Sequence, residues 1–243
     1  PNSVAWANDA DGLWSAGANW NPQSVPNGAG HTARFDLNFA QPRTVTLDLP
    51  VTLGALLLDA PVAPRVTGTA PLTFSHGAMP SLLEVALGHP TLDVPVAVPA
   101  ETTAWIEPDT SLTLAGNLSG AGAFTAQGGG TLILMATNTV AGTLVSGVTL
   151  QLGPDASQEA PLTLDNATLA TAADHGSAAA IIHGAYGATF APFDNTTLTL
   201  SGPVSGAGGL VKTGSSTLAL TGPDHATGIW AMASAWIGGA LGY

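Results

Sequence analysis

The sequence predicts an all-β chain wound into a parallel β-solenoid, a single elongated domain. Three observations carry that expectation. Short strands of the form x-Leu-x-Leu recur along the 243 residues; no stretch holds the i, i+3, i+4 apolar spacing of a helix; and one forty-residue segment repeats without a gap. In strands such as Thr44-Val45-Thr46-Leu47, Ser111-Leu112-Thr113-Leu114 and Thr197-Leu198-Thr199-Leu200, alternation puts the aliphatic side chains on one face and hydroxyls on the other. The repeat places residues 114–153 on residues 200–239, an offset of 86. It matches Gly116 with Gly202, Ser119-Gly120-Ala121-Gly122 with Ser205-Gly206-Ala207-Gly208, and Thr131-Leu132 with Thr217-Leu218. Leu-rich strands return about every 18 to 20 residues, close to one solenoid turn, and such a turn buries its inner face only by stacking on its neighbours. With about 4.8 Å between stacked strands, the rod would be on the order of 50 Å long. The same short strands also suit one or two β-sandwiches; the ungapped repeat and the fixed phase of its glycines favour the solenoid, with the glycines expected at corners that need positive φ.

Along the chain, residues 1–43 read as a Trp-rich cap and first turns, and residues 44–113 as solenoid turns. Residues 114–153 form the first repeat unit, residues 154–199 the intervening turns, and residues 200–243 the second unit with an apolar final strand. Trp6, Trp14 and Trp20 read either as a plug of the first turns or as an end surface. The uncharged C-terminal stretch, with Trp230, Trp236, Ile237, Leu241 and Tyr243, leaves a strand edge without charged protection. We therefore expect those five residues and the three N-terminal tryptophans to form an assembly interface, giving a homo-oligomer or a head-to-tail polymer.

Composition narrows the partners. Only 8% of residues are charged, against roughly 25% in an average soluble protein. The basic residues are Arg34, Arg43, Arg65 and Lys212, and the net charge is −12. Four scattered cations cannot neutralise a run of phosphates, so nucleic acid is excluded. The most apolar stretch, residues 229–243, is shorter than the roughly 20 residues that span a bilayer, so no membrane insertion is expected. No cysteine is present. The chain opens Pro1-Asn2-Ser3 without a basic-then-apolar segment, as expected of an extracellular or cell-surface protein after signal-peptide removal.

Sites of chemistry are scarce. Gly206-Ala207-Gly208-Gly209-Leu210-Val211-Lys212-Thr213 approaches a phosphate-binding loop, but Val211 stands where glycine is required. The six histidines are scattered, and His175 and His225, each after an Asp, read as solvated turn residues. Asp9 and Asp11 offer turn oxygens for Ca²⁺, although the remaining positions of a calcium loop are missing and an Asx-turn accounts for them better. No cofactor and no catalytic residue is expected. A polysaccharide lyase or hydrolase on the same architecture stays open as an alternative, as does a lateral surface that grips glycan; Trp105, Tyr186, Phe190 and Phe193 are the aromatics available for that.

The second unit carries Leu200-Ser201-Gly202, Ser205-Gly206-Ala207-Gly208-Gly209-Leu210, Lys212-Thr213-Gly214 and Thr217-Leu218-Ala219-Leu220 in order. This resembles the autotransporter-associated β-strand repeat of bacterial passenger domains. In the first unit Ala126-Gln127 replaces Lys-Thr. The opening Trp6, Gly12-Leu13-Trp14, Asn19-Trp20 and Val25-Pro26-Asn27-Gly28 is similar to the Trp-rich start of such proteins. The resemblance covers roughly half the chain. It implies a right-handed parallel β-helix, export across the bacterial envelope, and repeats without enzymatic activity. A complete autotransporter would add a transmembrane β-barrel, for which this sequence has no strands. The expected function is an extracellular structural protein that self-assembles end to end into a fibre or joins a surface layer; the alternative is a passenger adhesin that binds glycan or a host surface.

Overall fold

Alternation in the strands becomes alternation of burial. In Ser111–Leu114, Thr131–Leu134, Thr149–Leu152 and Thr197–Leu200 every leucine is buried and every hydroxyl residue partly exposed. A computed structural model describes residues 3–222 and the backbone of residues 230–232. Among these residues there is no α-helix, only a 3₁₀ turn at Gly17–Asn19.

The chain coils through three strands per turn, and apart from the antiparallel Trp20–Asn21 the strands pair in parallel from one turn to the next. The first face runs from Ser3–Trp6 through Thr32–Phe35, Ala55–Asp59, Ser81–Leu87 and Thr102–Ile106 to Val204–Gly206. The second is an eleven-stranded ladder from Gly12–Leu13 to Trp230–Met232, which at about 4.8 Å per step is a rod of about 50 Å. The third contains Val51–Leu53, Leu72–Phe74 and Val96–Ala97, and further along His175–Ser177, Thr197–Leu200 and Thr217–Leu220. Leu118–Gly128 and Thr137–Ser146 bend across a corner and serve two faces each, with the register shift at Gly120/Ala123. The expected parallel solenoid is therefore the fold.

Register makes the core. On the second face Leu112, Leu132, Leu150, Leu169, Phe190 and Lys212 stack in one buried column. On the first face Ala104, Ala126, Val145, Leu164 and His183 do the same. Sequestering these columns from water supplies the main driving force for coiling, at roughly 25 cal/mol per Å² of apolar surface. Along the third face the interior turns polar: the Asn138 amide donates to Thr143 Oγ1 at 2.8 Å and to Gln158 Oε1 at 2.9 Å, and Gln158 Nε2 donates to Ala160 O at 2.7 Å. Each buried amide is thereby satisfied.

The two repeat units do not occupy the same faces. Leu114 ends a second-face strand and Leu200 a third-face strand; Thr131–Leu134 lies on the second face and Thr217–Leu220 on the third. An offset of 86 residues is thus four turns and one face. What repeats is a strand with its corner, a module that fits any side of a three-sided coil. Gly120 and Gly206 hold φ of 135° and 145°, as expected of matched corner glycines, and a Cβ on either would collide with a backbone carbonyl of the preceding turn, Val98 O or His183 O.

Candidate functional site

Trp6, Trp14 and Trp20 are buried and close the N-terminal end from inside. Their rings pack edge to face, with centroids 5.1 Å apart for Trp6–Trp20 and 4.8 Å for Trp14–Trp20, and all three meet Phe35. Each indole N–H is satisfied by a carbonyl: Trp6 by Asn8, Trp14 by Pro26, Trp20 by Trp14. Trp20–Asn21 runs antiparallel to Ser3–Trp6 and covers its outer edge, and Pro22 follows at once. A two-residue edge backed by proline offers little to a further strand. These tryptophans are plug rather than exposed contact surface. The backbone of Trp230 pairs with Leu210, while Trp236, Ile237, Leu241 and Tyr243 lie outside the described residues.

Asp9 and Asp11 hold the chain together. Asp9 pairs with Arg43 at 2.7 Å and accepts from Ala40 N; Asp11 accepts from Thr44 N at 2.8 Å. The Arg43 guanidinium keeps the Asp9 carboxyl below its usual range. Both carboxylates tie the first turn to the next, and no cluster of three metal-ligating side chains occurs among the described residues.

Two expectations about exposure need correction. His175 is buried on the third face rather than solvated, because its place in the strand points inward opposite Leu198; desolvation lowers its pKa. Phe190 fills the interior column above Leu169 and is not available to a ligand. His225 lies outside the described residues.

The site that the stacking does create is a groove along the corner between the first and second faces. Its wall is an outward column in which Trp105 pairs with Gln127, Gln127 with Ser146, and Ser146 with Asp165. Its floor is backbone: the corner positions Gly128, Gly147 and Asn166 have φ of 124°, 70° and 49°. Glycine and asparagine tolerate that conformation, and the two glycines leave no side chain to fill the corner. The hollow measures ≈ 560 Å³ and carries Trp105 and Glu107 at one end and Tyr186 at the other. Trp105 Nε1 donates to Glu107 Oε1 at 2.8 Å, which steadies the indole. Asp165 Oδ1 accepts from the Tyr186 backbone N–H at 2.9 Å, which fixes the turn that presents the phenol. Tyr186 is 82% exposed and Trp105 39%. They stand four rungs apart, about 19 Å.

Chemically the groove can hold but has little with which to transform. Its carboxylates, Glu107 and Asp165, are three rungs apart, about 14 Å, beyond the roughly 5 to 9.5 Å that glycoside hydrolysis uses. No Arg, Lys or His lines it. The sequence named both aromatics but not their juxtaposition, since they are 81 residues apart. The signal was there in Gly128, Gly147 and Asn166, which follow one another at the length of one turn.

The stacked parallel rungs and the two repeat units fit the β-helix of an autotransporter passenger domain. Over 121 residues the chain is 37% identical to the adhesin BmaC autotransporter of Brucella suis biovar 1 (strain 1330). That match spans 48% of this chain and 4% of the length of the relative. No family model and no solved structure matches the chain. No helix among the described residues is long and apolar enough to cross a membrane.

Proposed function

We propose that this chain is a non-catalytic segment of a bacterial surface or secreted adhesin, a stiff rod that makes contact through its side. The observation that carries this reading is the groove with an exposed aromatic at each end, Tyr186 being at 82% the most exposed large apolar side chain among the described residues. Similarity to an autotransporter adhesin supports it. The carboxylate separation speaks against a hydrolase, and the lack of a cation in the groove against a lyase, which must stabilise a carboxylate beside the abstracted proton. End-to-end growth into a fibre needs receptive edges at both ends, and the covering of the first-face edge by Trp20–Asn21 favours lateral contact instead.

Beads coated with the purified chain should adhere to epithelial monolayers, and the double variant Trp105→Ala/Tyr186→Ala should lose most of that adhesion. Undiminished adhesion of the double variant would remove the groove from the account. Electron microscopy of the purified chain should show single short rods; regular filaments would restore the end-to-end reading.

A further inference from the structure

The charge distribution and the length of the groove together restrict what it can take. Every basic side chain of the sequence is already committed. Arg34 pairs with Asp36, Arg43 with Asp9 and Arg65 with Asp93, while Lys212 is buried with its ammonium on Thr213 O, Gly214 O and Ser216 Oγ. An anionic ligand would therefore find no unpaired Lys or Arg, and would meet a protein of net charge −12 across a groove that contains Glu107 and Asp165. A ligand rich in hydroxyl donors finds the opposite. Ionised carboxylates only accept, and hydrogen bonds to them are the strong kind. Gln127, Ser146 and Asn166 add donors and acceptors between the two aromatics.

We infer that the groove binds an extended, uncharged oligosaccharide lying parallel to the solenoid axis, one sugar stacked on Trp105 and another on Tyr186. This rests on the groove being the contact face proposed above. An extended glycan advances by about one rung height per pyranose, so four rungs accommodate a chain of about five units between and including the stacked pair. The apolar face of a pyranose suits an aromatic platform, and its equatorial hydroxyls reach the polar wall. The protein contributes the template: backbone pairing of five successive turns spaces the rungs, Trp105 stands on a strand, and Tyr186 stands on a turn tied down by its backbone N–H to Asp165, which limits the ordering needed on binding.

The test is calorimetric titration of the whole chain with cellohexaose and chitohexaose, their disaccharides, and a heparin hexasaccharide. At least one neutral hexasaccharide should bind roughly tenfold or more tightly than its disaccharide, because the disaccharide reaches one platform only. Trp105→Ala and Tyr186→Ala should each weaken the hexasaccharide by about tenfold, toward the disaccharide level. Phe193→Ala, an exposed aromatic away from the groove, should change nothing. Heparin binding as tight as the neutral chains, or no binding of either neutral hexasaccharide at millimolar concentration, would overturn the ligand class. The bead assay then separates the two claims. If neutral glycan fails but adhesion still depends on Trp105 and Tyr186, the contact face stands and its ligand is of another class. If adhesion is indifferent to both residues, the contact face itself falls.

Discussion

At the scale of single residues, two departures from an oil-like core besides the Asn138–Gln158 cluster have measurable consequences. His183 occupies an inward position between Leu164 and Gly206, neither of which titrates, and burial lowers its pKa, as it does for His175. The unfolded chain takes up protons near pH 6.5, whereas the folded chain resists until a lower pH. Stability is therefore complete above that value and declines as pH falls toward the depressed folded values. Thermal unfolding should show a falling midpoint from pH 7.5 to pH 5, and His183→Leu, which continues the Leu164 column, should flatten that decline. An unchanged slope in the variant would refute the assignment. Loss of the hydrogen-bonded carboxylates Asp9 and Asp48, whose pKa values are lowered by Arg43 and Ser15, belongs to a lower pH window below the ordinary carboxylate value of 3.8. Lys212 is the second point. Its side chain sits over Phe190 and its ammonium closes the following turn through three acceptors. Lys212→Ala removes that bridge and leaves a void, and should cost about 2 to 4 kcal/mol in urea denaturation. In the sequence Lys212 stands in a stretch that approaches a phosphate-binding loop; its inward direction depends on the phase of the strand Leu210–Lys212, which a three-residue segment cannot announce.

At the scale of elements, the strands were the most legible part. Leucine alternation marks them because a strand buried on one face must place side chains with a period of two, and Thr at the other phase is what a half-exposed sheet favours. Corner glycines were legible for a related reason, since Gly120 and Gly206 keep positive φ in both units. The face on which each unit lies was not legible. Two identical modules can begin on different sides of the coil, and nothing local distinguishes the sides, so only the lengths of the intervening turns decide. The N-terminal cap is the element with the sharpest prediction. Trp14 is fully buried among Trp20 and Phe35, and Trp14→Ala should cost about 3 to 5 kcal/mol. Because each turn of a solenoid is supported only by its neighbours, the loss should appear first as protease cleavage within the opening turns, with the turns around residues 130–170 still protected. Uniform cleavage along the chain would show that the cap is not a separate source of stability.

At the scale of the whole molecule, distant residues become functional neighbours because the pitch is constant. Trp105, Gln127, Ser146, Asp165 and Tyr186 are strangers in sequence and a single edge in space. This explains why composition supports an expectation about nucleic acid from a count of cations but could only count aromatics when it came to glycan: a lateral site on a solenoid is a property of register. The central claim is therefore that successive turns stack in the register described, and the absence of cysteine makes it directly measurable. Thr103, Ile182 and Ser205 lie in one outward column, Thr103 and Ile182 four rungs apart and Ser205 one rung further. With paired spin labels at Thr103→Cys and Ile182→Cys, electron–electron double resonance should give one narrow distance near 19 Å, and with Thr103→Cys and Ser205→Cys one near 24 Å. Broad distributions, or two distances that do not differ by about one rung, would contradict the stacking and dissolve the groove with it.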